Sequence, residues 1–221
     1  MSSSNPKNGG SKFTERGVED YERRRYRGLD QKIVHAREIR LIRACFEAVR
    51  AAGGSGRAAA PALDLPCGYG RFTEALRRGG WDVIHCDLSL EMIRRAKDKS
   101  GLSGAVADAK RGLPFRSEAF PLVFSVRFFH HLHEPADRAA VLGEFYRVTS
   151  GWAIVSFYRA NGLHRLQRRI RRLFNKSRTK IKMVESGRFE REAETAGFDV
   201  IKVKPLFRGL HAYHLALLRK K

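Results

Sequence analysis

Asp64, Asp87 and Asp108 each close a short apolar run, and the first of them opens a turn that reads Asp64-Leu65-Pro66-Cys67-Gly68-Tyr69-Gly70. Gly68 and Gly70 carry no Cβ, so the backbone there can approach a ligand closely. Asp87, ending the second run, is placed to accept two hydrogen bonds from a ribose diol, and Asp108, ending the third, to accept from an adenine amino group. That is a layout for holding a nucleoside cofactor. A Gly-x-Gly taken alone is an ordinary strand-to-helix turn, but three carboxylates ending three successive strands are hard to obtain by accident. A second cluster, His130, His131 and His133, follows the fourth run. An imidazole titrating near neutrality is a natural proton acceptor for a hydroxyl or phenol, although such histidines also serve as packed structural residues. Glu134 is the only carboxylate adjacent to them and no cysteine is near, so no metal site is expected.

The elements that position these residues follow from the hydrophobic pattern. Apolar runs at Ala60–Leu65, Trp81–Cys86, Gly104–Ala107, Leu122–Val126 and Trp152–Phe157 alternate with amphipathic stretches at Arg71–Arg78, Leu90–Lys97 and Ala136–Val148. Strand and helix in alternation predict a parallel sheet covered on both faces, with ligands bound outside the carboxyl ends of its strands. Glu185–Ala196 reads as a further helix closed by Gly197. Phe198–Lys204 and His211–Leu218 then follow with no helix between them, which predicts an antiparallel hairpin ending the sheet. The expected fold class is therefore α/β, a doubly wound and mostly parallel seven-stranded sheet with an antiparallel last strand. Residues 1–17 are expected to be a loose arm and 18–56 a helical cover, with Ile33, Val34, Ile39, Leu41, Ile42, Cys45, Phe46 and Val49 on one stripe. Residues 57–221 make up the main domain.

Composition bounds the partners. The chain has 221 residues and a formal charge of +21, with 43% hydrophobic residues, enough to enclose a core. Residues 159–184 contain ten basic and no acidic residues, nearly half the excess. Within them Leu163, Leu166, Ile170, Leu173 and Phe174 recur at helical spacing among arginines, so a basic amphipathic helix is expected. Concentrated charge of this kind suits an anion, a phosphate backbone or an anionic membrane surface, while the alternative is a solvated face whose stripe packs on the sheet. The three cysteines show no Cys-x-x-Cys spacing and are expected to be reduced thiols. No apolar run approaches the roughly 20 residues of a membrane-spanning helix and no apolar leader is seen, so the expected location is cytoplasmic, with peripheral membrane contact through the basic segment.

From about Ala60 to Leu218 the sequence resembles the class I S-adenosylmethionine-dependent methyltransferases, in particular their type 11-like small-molecule branch. The family's first motif usually reads Asp-x-Gly-x-Gly-x-Gly, and Asp64 to Gly70 follows it with Pro66 in place of the first glycine. The resemblance implies that Asp64, Pro66, Cys67, Gly68 and Gly70 surround the methionine portion of S-adenosylmethionine. It also implies that Asp87 holds the ribose, that Leu88 packs on the adenine, and that Asp108 with Ala109 reads the adenine edge. Phe124-Ser125-Val126-Arg127-Phe128-Phe129-His130-His131-Leu132 resembles the fourth motif, which places Val126 beneath the transferred methyl and makes His130 and His131 candidate catalytic residues. Insertions after the fifth strand in this family form part of a lid, making Arg165, Arg168 and Arg169 candidates for binding an anionic acceptor, together with Arg127 of the fourth motif.

A nicotinamide dinucleotide is disfavoured, since its fingerprint needs a third glycine where Thr73 stands. The expected activity is methyl transfer to a small-molecule or lipid-like, anionic acceptor. One alternative is RNA methylation through the basic insertion and Arg23-Arg24-Arg25, disfavoured because Ser125-Val126-Arg127-Phe128 lacks the Asn/Asp-Pro-Pro-Tyr/Phe motif of amino-methylating nucleic-acid enzymes. The other is a non-catalytic module that only binds the cofactor. Oligomeric state is not encoded in any feature found.

Overall fold

A computed structural model describes residues 29–54, 59–159, 185, 187–207 and 212–221. The strands are β1 (Ala60–Asp64), β2 (Trp81–Asp87), β3 (Gly104–Val106), β4 (Phe120–Ser125), β5 (Thr149–Tyr158), β6 (Phe198–Pro205) and β7 (Tyr213–Lys220). The helices are α1 (Leu29–Ala51), α2 (Thr73–Arg78), α3 (Leu90–Ser100), α4 (Pro135–Val148) and α5 (Arg188–Thr195), with a single 3₁₀ turn at Phe129–His131.

All seven strands form one sheet in the order β3-β2-β1-β4-β5-β7-β6. The first five run parallel, and β7 lies antiparallel between β5 and β6. This is the doubly wound arrangement expected, with all seven apolar runs recovered as strands. The order reverses direction beside β1, between β1 and β4, so the crevice outside their carboxyl ends is where a ligand can enter.

Successive strand residues face opposite sides, and both sides are covered. Leu63, Val123, Ala153 and Val155 face a core completed by Val141, Phe145 and Val148 of α4 and Phe189 of α5. Ala62, Leu122, Phe124 and Ile154 face a second core completed by Ile42, Phe46 and Val49 of α1 and Leu76 of α2. Burial on both faces is why these strands read as near-continuous apolar runs. One face of α1, from Leu41 to Val49, is thus part of the core, although Ile33, expected on the same apolar stripe, is 61% exposed.

Local signals set the helix ends. Ser89 caps α3, its hydroxyl accepting from the Met92 amide at 3.4 Å, and Gly101 ends that helix in the left-handed region. Pro135 begins α4, at the position where a missing amide proton costs nothing. Two helices start later than the sequence predicts. Gly70 completes a turn in which its amide donates to Cys67 O and its own carbonyl accepts from Thr73, which delays α2 to Thr73. Gly187 has φ +75°, so α5 starts after it at Arg188 rather than at Glu185. The basic amphipathic segment and Arg23-Arg24-Arg25 lie outside the described residues. Among the described residues no helix is long and apolar enough to cross a membrane.

Candidate functional site

β1, β2 and β4 bring Asp64, Asp87 and Ser125 to one edge of the sheet. Pairing places Asp64 opposite His85 on one side and Phe124 on the other, and Asp87 opposite Val106. The Asp87 carboxylate is oriented by the backbone, accepting from the Gly68 amide at 2.9 Å on one oxygen and from the Ser89 amide at 3.0 Å on the other. It therefore ties the glycine turn after β1 to the end of β2. Two carboxylate oxygens offer about four acceptor positions, so capacity remains for a ligand. Burial pushes the Asp87 carboxyl up from its ordinary range, with the amides of Ser89, Gly68 and Leu88 opposing the shift.

Asp64 is more extreme. Its side chain is 1% exposed, and Oδ2 has no hydrogen-bond partner among the described residues. Burial pushes its pKa well above the usual value, and the nearby charge of Asp87 adds to the rise. A buried oxygen without a donor is costly. Ser125 Oγ, fully buried at the end of the adjacent strand β4, is likewise unpartnered among the described residues. The turn between these groups is open at Gly68. Gly68 has φ +54°, and a Cβ built on it would meet nothing within 4 Å, so its missing side chain leaves vacant space beside the backbone. Gly70, at φ +76°, instead packs toward Thr73 Oγ1 and Ala96. The Leu65–Pro66 peptide is cis.

The remaining candidates occupy different layers. Leu88 is 66% exposed directly after Asp87, and Val106 beside it on β3 is also exposed, so the rim carries apolar surface toward solvent. Asp108 forms a local turn, accepting from the Lys110 amide at 3.0 Å, and Ala109 is buried in the core under that turn. Val126 is buried at the end of β4. Cys67 is buried with its thiol donating to Gly68 O at 3.3 Å; burial, with Asp64 and Asp87 nearby, pushes its pKa up. The Cys86 thiol is pushed up to about 12 by burial and the same carboxylates, so neither is a ready nucleophile. All three cysteines are free thiols. Arg165, Arg168 and Arg169 lie outside the described residues.

His130 and His131 sit in the 3₁₀ turn after β4 with ring centroids 3.9 Å apart, and the Tyr158 ring lies 5.1 Å from His130. The turn is held from below by Arg138 of α4, which donates to Leu132 O at 3.2 Å and makes a two-pronged pair with Glu192 of α5, both bonds 2.7 Å. No group of three acidic, histidine or cysteine side chains suited to a metal occurs among the described residues. Because the Arg138 side chain is 3% exposed, Glu192→Gln, which keeps the shape but removes the charge, is expected to lower stability by about 1 kcal/mol in urea unfolding. An unchanged midpoint would show the pair to be dispensable.

Arg127, a candidate for anion binding, makes a two-pronged pair with Glu38 of α1 at 3.0 Å and 3.0 Å. Arg71 donates to the same carboxylate at 2.9 Å and to His35 Nδ1 at 2.8 Å. Sequence reasoning missed Glu38, His35, Arg71, Ser156 and Tyr213. A signal did exist for the first: Glu38 lies four residues from both Val34 and Ile42, on the buried stripe of α1, where an acidic residue needs a partner.

Residues 63–155 match the family described as a methyltransferase domain. Two curated relatives align with part of the chain, both named malonyl-[acyl-carrier protein] O-methyltransferase. The one from Hamiltonella defensa subsp. Acyrthosiphon pisum is 34% identical over 95 residues, 43% of this chain and 36% of its own length. The one from Salmonella typhimurium is 31% identical over 103 residues, 47% of this chain and 40% of its own. The chain thus spans well under half the length of these relatives. Among solved structures, magnesium protoporphyrin IX methyltransferase from Synechocystis PCC 6803, crystallised with bound S-adenosylhomocysteine, superposes with a TM-score of 0.76 at 15% identity, covering 95% of this chain and 97% of that one. The PH0226 protein from Pyrococcus horikoshii OT3 gives 0.61 at 23% identity, covering 81% and 91%. The strand order and the glycine turn agree with the matched segment: residues 63–155 are similar to a methyltransferase domain, and the chain shares its fold with the Synechocystis methyltransferase.

Proposed function

We propose that this chain transfers a methyl group from S-adenosylmethionine to a small-molecule or lipid-like acceptor, at an oxygen atom. The observation that carries the cofactor assignment is the pair of buried carboxylates, Asp64 and Asp87, on either side of the open turn at Gly68. The residues fit a cationic nucleoside. Asp64 Oδ2 and Ser125 Oγ need partners, the open side of Gly68 accommodates close approach, and the Asp87 charge adds to the cost of ionising Asp64 until a positive charge arrives. Asp87 would take the ribose hydroxyls, with Leu88 and Val106 as apolar support for the base and Asp108 at its edge. Pro66, Cys67 and Gly70 complete the wall of the turn.

S-adenosylmethionine, when bound, supplies an electrophilic methyl on a sulfonium. The protein's task is then alignment of the acceptor with that methyl, and exclusion of water, since a displacement of this kind gains most from orientation. Val126 and the histidine turn after β4 face the acceptor side in this reading. For a hydroxyl acceptor, His130 or His131 would take the proton; for a carboxylate acceptor, already anionic, neither need act. The names of the two curated relatives support an oxygen acceptor on an acyl group.

The basic segment 159–184 supports an anionic acceptor or, as a second reading, RNA. Incubation of the purified protein with methyl-labelled S-adenosylmethionine and separate small-molecule, lipid and RNA pools distinguishes these. Label in the small-molecule or lipid pool is expected. Label in RNA alone, lost steeply with added salt, would replace the acceptor assignment. Cofactor binding with no label in any pool would leave a binding module.

A further inference from the structure

Beyond the matched segment, α1 inserts one carboxylate into the edge of the sheet where the cofactor is proposed to bind. Glu38 is 1% exposed, and both of its oxygens are engaged by guanidinium groups. Oε1 accepts from Arg127 Nε at 3.0 Å, while Oε2 accepts from Arg127 Nη2 at 3.0 Å and Arg71 Nη2 at 2.9 Å. Tyr213 of β7 is buried beside the same carboxylate. Burial acts to raise the Glu38 pKa, and Arg127 and Arg71 outweigh it, so the net shift is downward and the group stays ionised.

The two arginines are the residues that frame the crevice. Arg71 directly follows Gly70, the last member of the glycine turn. Arg127 directly follows Val126 and is held with φ +65°, a left-handed backbone that a side chain rarely adopts, its amide donating to Ser156 Oγ at 2.6 Å. One carboxylate therefore sets the distance between the turn after β1 and the chain leaving β4, one flanking the cofactor and the other the acceptor. A neutral or shorter side chain could fill the volume, but it could not hold two guanidinium groups in a fixed fork.

We infer that Glu38 is a positioning residue for methyl transfer, fixing the cofactor turn and the acceptor-side strand end through Arg71 and Arg127; this rests on the cofactor assignment above. The test measures S-adenosylhomocysteine affinity by calorimetry, thermal midpoint, and amide exchange over residues 67–71 for the full chain, its Glu38→Gln variant, Arg127→Met, and the double variant. Glu38→Gln is expected to weaken affinity about tenfold, the scale seen when an outer support of a binding site is removed, and to accelerate exchange at residues 67–71. Because it strands charge, it also lowers the midpoint. In Glu38→Gln/Arg127→Met one stranded charge is gone, so the midpoint is expected to recover while affinity and exchange do not. Recovery of all three would make Glu38 merely structural and overturn the inference, as would a single variant with unchanged affinity and exchange. Failure of the unaltered protein to bind would instead sink the cofactor assignment, and the inference with it.

Discussion

Asp87→Ala is expected to weaken S-adenosylmethionine binding by about 100-fold while leaving the protein folded. Two charge-assisted hydrogen bonds to a ribose at about 1.5 kcal/mol each amount to roughly 3 kcal/mol, which converts to a factor of that size. The substitution also removes acceptors for the Gly68 and Ser89 amides, which loosens the turn. Against this stands relief for Asp64, whose carboxyl is pushed up by burial and then by the Asp87 charge. Losses and relief are of similar scale, so the thermal midpoint should move by only a few degrees. Calorimetric titration with S-adenosylmethionine, paired with a melting curve, reads both quantities. Unaltered affinity in a folded variant would remove Asp87 from the binding site and, with it, the main support for the assignment.

Asp64→Asn should separate stability from binding in opposite directions. An ionised carboxylate with a buried, unpartnered oxygen opposes folding, so the neutral amide is expected to stabilise the ligand-free protein by about 1 kcal/mol near neutral pH. Binding should suffer. At an effective dielectric of about 20, a cation roughly 6 Å from the carboxylate gains about 3 kcal/mol before desolvation is charged against it, so a tenfold to hundredfold loss of affinity is expected. The pH dependence has a definite sign. Asp64 has a raised pKa in the folded protein, so the fold holds its proton more tightly than the unfolded chain does. Its effect is to lower stability as pH rises from the unfolded value toward the folded one, and the penalty then persists above it. Mild acidification should thus raise the melting midpoint of the ligand-free protein, and less so in Asp64→Asn, until Glu38, Glu144 and Glu192, whose pKa values are lowered, begin to protonate below their ordinary range. A variant less stable than its parent at neutral pH would show that Asp64 is already compensated.

The sheet and the carboxyl-edge aspartates were legible because their signals are local. A strand buried on both faces must be apolar throughout, and a turn approached by a ligand needs residues without a Cβ, so Ala60–Leu65 and Gly68 announce themselves. The dual role of Asp87 was not legible. Its bond to the Gly68 amide joins residues 19 apart through a turn geometry that spacing alone does not encode. The Glu38 cluster was harder still, since it joins α1 to residues 33 and 89 positions away. Only the misfit of an acid on an apolar stripe hinted at it. The arginine pair at residue 127 shows the same limit: its proximity to the fourth strand could be read from the sequence, but its partner could not.

The place of β7 has a consequence for synthesis. β6 touches the sheet only through β7, and β7 is the later of the two to leave the ribosome. As translation proceeds, the edge of β5 from Trp152 to Tyr158 stays unpaired, and β6 must wait without a neighbouring strand until its successor wedges in between. Completion of the sheet therefore waits on the last of its seven strands in chain order, and that unpaired margin is what a holding chaperone would have to shield in the meantime.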